Sequence, residues 1–396
     1  MKHIYTLLTL LLLSLTINAQ EIILTENAEV SILTIGPGTQ LNDSFGHSAY
    51  RIKDESLGID IVYNYGVFDF NTQNFYIKFA RGKLLYKIVA NHYEPFYNSY
   101  VHQNRWVKEQ ILSLSYSEKQ AMFDFLQNNA KPENRDYKYD FFYDNCATKI
   151  RDVLIKVLGN KLEYNDDYIT ESYSFRELIQ QNLNSNTWGS LGIDIGLGAV
   201  IDKKVSQFEY QFLPEYIFKG THNATIQRIN SKDNIVKETI TLFENKEIKI
   251  RRNFFISPLF VFGLIGLMVL FITYKDLKKG TRSRYLDAII FFITGIIGVL
   301  LLLLWVATDH TSTAYNYNLL WAFPFSILFI FTVIKKQPNK WLRRYFIFLI
   351  LLLVLLCLHW ITGVQIFSIG LIPLFIALGV RYAYLVWFLK TPQRSH

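Results

Sequence analysis

Hydrophobic and polar positions divide the chain at Arg251-Arg252. Beyond that pair run five long apolar stretches, near 254–274, 285–307, 317–334, 342–361 and 364–389. Each is long enough to supply the roughly 20 apolar residues of a membrane-spanning helix. Before the pair, the pattern is mixed and shorter in period. Runs such as "EVSILTIG" (29–36) and "HSAYRI" (47–52) predict strands, and 117–129 predicts a helix. The segment 222–250 alternates in "ATIQRI" and "ETITLF" around the turn-like "NSKDN", which predicts a hairpin leading to the membrane. From Cys146 onward, apolar residues at Ile150, Val153, Leu154, Val157 and Leu158 mark one buried helical face, with Gly159 at a C′ position and Asp144 or Asn145 as N-cap.

A further apolar run, about Tyr5 to Leu15, comes after Lys2 and His3 and leads to Ala19-Gln20. This is the pattern of a signal peptide over 1–19, with an uncleaved anchor as the alternative. Either one exports the polar half behind it. The expected organisation is therefore a signal peptide (1–19), an α+β periplasmic domain (20–250) and a five-helix transmembrane domain (251–396).

Composition agrees with that division. Hydrophobic residues make up 51% and charged residues only 19%, so part of the chain must meet lipid. The net charge of +8 is largely topogenic. Lys and Arg gather in "YKDLKKGTRSRY", "KKQPNKWLRR" and the C-terminal tail, whereas "TDHTSTAYNYN" and "HWITGVQ" carry neither. With the first span running inward, the basic loops and the C-terminus fall in the cytoplasm, as the positive-inside rule requires. The excess charge thus implies no nucleic-acid partner. Arg381 interrupts the last stretch and is read as a topological anchor, with a functional role as the alternative.

The chain has two cysteines. Cys357 lies in "LLLVLLCLHW" at membrane depth and Cys146 in the polar half, so the two are not expected to pair. Cys146 falls in the first turn of its helix, where unpaired backbone N–H groups and the positive dipole end favour a thiolate. The plain alternative is a structural cysteine. A nucleophile needs a base, and His47, His92, His102 and His222 are available. His47 sits after a Gly-rich lead at the start of a strand, the papain-like arrangement, and His92 is a second choice. Asp144, Asn145, Tyr65 and Asn64 are candidates for orienting His47. His310, Asn316 and Asn318 lie on or near the predicted outer loop, on the side of Cys146, where they serve either the site or the loop. No zinc spacing, Walker loop or dinucleotide fingerprint occurs, so neither a metal nor a cofactor is expected.

Several blocks carry a resemblance: "FGHSAYRI" (45–52), "YNYGVFDF" (63–70), "YDNCATKIRD" (143–152) and "WGSLGIDIGLGAVID" (188–202). They resemble the N-terminal periplasmic domain of Lnb, a lipoprotein N-acyltransferase of Bacteroides-type bacteria. "ATDHTSTAYNYNLLWAFP" (307–324) extends the likeness into the membrane half. The histidine-before-cysteine order is similar to that of permuted papain-like (NlpC/LRAT-type) enzymes. The resemblance implies an inner-membrane acyltransferase with its catalytic domain in the periplasm. Cys146 would take an acyl chain from a phospholipid donor as a thioester and pass it to the N-terminal amine of a diacylated lipoprotein acceptor, with His47 as base. The alternatives are a papain-like envelope peptidase or amidase, and a non-catalytic envelope assembly protein.

Overall fold

The structure, a computed structural model, describes residues 22–246, 253–339 and 341–390. The expected signal peptide and the end of the expected hairpin lie outside the described residues. The N-terminal half is mixed α/β. Seven strands, β1 (Glu29–Ile35), β2 (His47–Asp54), β3 (Ile59–Val67), β4 (Leu85–His92), β5 (Val107–Leu112), β6 (Asp136–Lys138) and β7 (Val236–Phe243), form one antiparallel sheet in the order β7-β5-β1-β2-β3-β4-β6. The helices of this half are α1 (Phe75–Ala80), α2 (Tyr93–His102), α3 (Tyr116–Asn129), α4 (Cys146–Leu158), α5 (Phe175–Asn182), α6 (Trp188–Gly196) and α7 (Pro214–Asn223).

Strand alternation assigns the two faces. Val30, Ile32, Tyr50, Ile52, Tyr63 and Tyr65 pack with α3 and α4, whereas Leu33, Ile35, Ala49 and Val62 pack with Phe96 of α2. His47 and Asn64 share the α2 face by parity, and α4 covers the other. The Tyr50 hydroxyl donates to the Ile150 carbonyl and pins α4 across β2. Burying each large side chain of α4 contributes about 1.5–3 kcal/mol. The expected hairpin takes a different form. Thr225–Gln227 pairs with Lys232–Asn234 in a small second sheet, while β7 leaves it to pair with β5 at the edge of the main one.

The C-terminal half is helical. Among the described residues four helices are long and apolar enough to span a membrane: α8 (Pro258–Lys279), α9 (Arg284–Val306), α10 (Trp341–Ile361) and the helical stretch Ile369–Phe388, which contains α11 (Ile372–Phe388). The stretch expected as one continuous span near 317–334 is instead a bent pair, Thr311–Leu320 and Pro324–Val333, at 47°. Pro324 is the cause, because a proline cannot continue a helix and holds Phe323 extended before it. Among the described residues this gives four candidate spans, or five if the bent pair counts as one. Arg381, deep enough in the last stretch to need a partner or to snorkel inward, takes partners. Its guanidinium does not snorkel but lies fully buried, 2.7 Å from Asp287 and 2.8 Å from Asp276, and so joins α11 to α9 and α8. Removing one member of such a buried set leaves an uncompensated charge.

The two halves meet through buried polar contacts. Arg176 of α5 is fully buried against Asp194 and Asp202, and Asp202 also accepts from the Ile366 N–H of the loop before α11. Asn316 donates to the Ile195 carbonyl at 2.7 Å and Asn318 to that of Asp194 at 3.0 Å, satisfying the C-terminus of α6. The Gly198 N–H meets the Ser312 carbonyl at 2.9 Å, and a Cβ on Gly198 would fall 1.8 Å from the Ala314 carbonyl oxygen. Only glycine fits there. Gly198→Ala is therefore expected to cost about 1–3 kcal/mol and to lower the unfolding midpoint of the purified protein. A thermal shift assay checks this, and an unchanged midpoint would show that the two backbones do not meet there.

Candidate active site

A tight turn delivers Cys146. Asp140 and Asp144 exchange backbone hydrogen bonds, and Asp140 Oδ1 accepts from Phe142 and Tyr143. Asn145 is the N-cap of α4. Its side-chain oxygen accepts from Ala147 and Thr148, while Nδ2 donates to the Phe141 and Phe212 carbonyls. Such a cap contributes about 0.5–2 kcal/mol. It also leaves the Cys146 N–H free to turn toward its own sulfur, beside the N–H of Ser48. Gly66 lies beside Cys146, whose Cβ is 3.5 Å from where a Cβ on Gly66 would sit, and its φ of +87° is one that favours glycine.

His47 opens β2 at the same end of the sheet. Its Nε2 lies 2.7 Å from Asn64 Oδ1, so Nε2 carries a proton and Nδ1 is left for the hydrogen bond with Cys146. Tyr100 of α2 stacks on the imidazole at 6.1 Å between ring centroids. Burial pushes the Cys146 thiol up, but the charge and hydrogen bond of His47 and the two backbone N–H groups outweigh it and hold the thiol below its usual value. Burial likewise disfavours imidazolium at His47, yet Cys146 and Asn64 raise it. Both shifts favour a thiolate–imidazolium pair. The guanidinium of Arg105, buried and bonded through Nε to the Gly36 carbonyl, acts on both partners and opposes the imidazolium. Its Nη2 has no hydrogen-bond partner among the described residues.

The remaining candidates take other roles. Asn64, not Asp144, Asn145 or Tyr65, orients His47. Asp144 pairs with Lys149 at 2.6 Å, and burial pushes its carboxyl up despite that lysine. Asn145 is the cap, and the Tyr65 hydroxyl donates to Asn129 within the core. His92 is exposed and lines a cavity of about 470 Å³ shared with Asn91, Ser99, Asn64 and Tyr100, the last two of which also contact His47. His102 and His222 are exposed near the ends of α2 and α7. His310 meets the Phe79 carbonyl at 3.1 Å, and Asn316 and Asn318 dock α6, so none of these three joins the pair. Arg105 and Tyr100 carry no local motif, and only the packing of α2 and of the turn after it against the sheet reveals them. Among the described residues no cluster of three or more His, Cys, Asp or Glu side chains could hold a metal ion.

A cysteine at a helix start, an imidazole and an orienting asparagine, set on an α/β domain docked on apolar helices, define a membrane protein with a thiol-bearing extramembrane domain. The family model of the Lnb N-terminal periplasmic domain matches residues 17–181, and that of the Lnb transmembrane domain matches 249–393. The chain belongs to the Lnb family, as a membrane protein with a periplasmic N-terminal domain, consistent with residence in the inner membrane. The docking segment Trp188–Asp202 falls between the two matched stretches. No curated protein and no solved structure matches the chain.

The pair makes a chemical prediction that does not depend on substrate. Alkylation of Cys146 by iodoacetamide should rise with pH through a midpoint below the ordinary thiol value of about 8.5. His47→Ala removes the compensating charge and should move that midpoint upward, and Asn64→Ala should move it less. Peptide-resolved mass spectrometry across a pH series measures this. A midpoint that His47→Ala leaves in place would rule out the pairing.

Proposed function

We propose that this protein is a thiol-dependent lipoprotein N-acyltransferase, working on the outer face of the inner membrane through a permuted papain-like domain. The observation that carries the reading is the height of the nucleophile. Lys138 and Asp140, just before Cys146 in the chain, meet Asp309 at 3.1 Å and Thr311 at 2.7 Å at the outer end of α9. A thiol tethered to that level suits an ester held in lipid better than a soluble peptide. The order of His47, Asn64 and Cys146 along the chain supports the permuted papain-like assignment, and the basic loops support a cytoplasmic C-terminus behind a cleaved signal peptide.

The chemistry runs in two halves. The Cys146 thiolate attacks the ester carbonyl of a phospholipid, and the resulting oxyanion is stabilised by the N–H groups of Cys146 and Ser48. The C–O bond breaks as the His47 imidazolium gives its proton to the leaving glycerol oxygen, which departs as lysophospholipid. Cys146 is left as a thioester. The α-amine of a diacylglyceryl-cysteine then attacks the same carbonyl, His47 takes the amine proton, and the C–S bond breaks to give an amide and restore the thiolate–imidazolium pair. Asn64 keeps Nδ1 facing the sulfur in both halves.

Cys146→Ser should abolish N-acylation of a lipoprotein N-terminus, and His47→Ala should reduce it by more than about 100-fold. Both proteins should still insert in the membrane. Mass spectrometry of the N-terminal lipopeptide checks this, together with capture of a hydroxylamine-labile acyl group on Cys146. An acyl count unchanged in the Cys146→Ser cells defeats the proposal. Release of a trimmed envelope peptide without any acyl-Cys146 would point to the peptidase.

A further inference from the structure

The segment between β3 and β4 is apolar where a water-soluble domain would be polar. Phe70 is 68% exposed, Tyr76 79%, Ile77 60% and Phe79 54%. Single exposed apolar residues are ordinary, but a contiguous group marks an interaction surface. The neighbours of this segment identify what covers it. The Arg81 carbonyl accepts from the Asp309 N–H at 2.9 Å, and the Phe79 carbonyl meets His310. Both contacts lie on the loop that leaves the outer end of α9. Trp305 and Tyr315 flank that loop and pack on each other at 5.3 Å, in the manner of an interfacial aromatic belt. Arg81 and Lys83, both exposed beside the apolar group, suit lipid phosphates.

A line of rings leads inward from this surface. Phe75 packs on Phe79 at 6.3 Å and on Phe68 at 5.8 Å, Phe68 on Tyr86 at 5.3 Å, and Tyr86 stacks on Tyr139 at 4.3 Å. Tyr139 and Cys146 both border the Cβ-less surface of Gly66. The rings therefore run from Phe79, whose carbonyl meets the loop after α9, to Tyr139 beside Gly66 and Cys146.

We propose that α1 and its flanks are a lip embedded in the outer leaflet, and that the ring track guides the ester region of a phospholipid from the bilayer to Cys146. The role as an acyl track rests on the acyltransferase reading, whereas the lipid access it provides does not. The test uses the full chain with Cys357→Ser, reconstituted in phosphatidylglycerol-containing vesicles that include a phospholipid carrying a maleimide near its head group. The lipid reagent should label Cys146. Tyr76→Asp combined with Ile77→Asp should slow that labelling by at least about tenfold while leaving labelling by water-soluble iodoacetamide unchanged. Phe70→Ser, at a separate exposed position, should slow it in the same direction. Equal lipid labelling in wild type and variants overturns the lip. So does an equal loss toward both reagents in both variants, since the segment would then be serving the fold. If labelling meets the expectation but wild-type protein transfers no acyl group to a lipoprotein, the access route stands and the acyltransferase reading falls. If transfer occurs but labelling ignores the variants, only the lip falls.

Discussion

The N-terminus of α4 is the constraint that the site obeys. A helix start leaves N–H groups without intrahelical partners, and Asn145 takes two of them while leaving that of Cys146 beside the sulfur. Everything else brings complementary groups to that point. The sheet supplies His47 and Asn64 from adjacent strands on one face, and α4 arrives over the other, so the meeting occurs at the strand ends, where backbone N–H groups are also free. The thiol shift is a result of this arrangement. Burial alone would make the thiolate costly, and the imidazolium together with two N–H groups reverses the sign.

The junction between the halves is held by groups of unequal worth. The Lys138–Asp309 pair is exposed, at 68% and 39%, and such pairs contribute little, about 0–1 kcal/mol. The amides of Asn316 and Asn318 are buried and bonded to the carbonyl end of α6, where loss of a partner leaves a desolvated acceptor costing about 1–3 kcal/mol. Stability of the junction therefore rests on α6 and its asparagines. The exposed pair sets position more than strength.

Much of this is legible along the chain. The helix at Cys146 announces itself through its cap and its apolar spacing, and the split into an α/β half and an apolar helical half through hydropathy. The partner of His47 is not, because strand register decides which of Asn64, Tyr65, Asp144 and Asn145 faces the ring. Asn64 shares the face of His47, and Tyr65, one residue on, points into the opposite core. Arg381 escapes a local reading for a related reason: Asp276 and Asp287 lie near the ends of other apolar stretches, and no short pattern joins them. The bent pair does carry a local signal, Pro324 within an apolar run, which span length alone overlooks. Asn316 and Asn318 announce polarity but not its use, since the carbonyls they satisfy belong to α6, more than a hundred positions away.

The isolation of the two cysteines has a redox consequence. Cys146 carries a partly exposed, lowered thiol in an oxidising compartment, and Cys357 sits on the membrane helix α10. Cys146 and Cys357 are both free, and a sulfenic acid formed at Cys146 stays open to further oxidation until a thiol resolves it. Further oxidation leads to irreversible sulfinic and sulfonic states. The working lifetime of each molecule is thereby tied to how seldom its sulfur meets an oxidant.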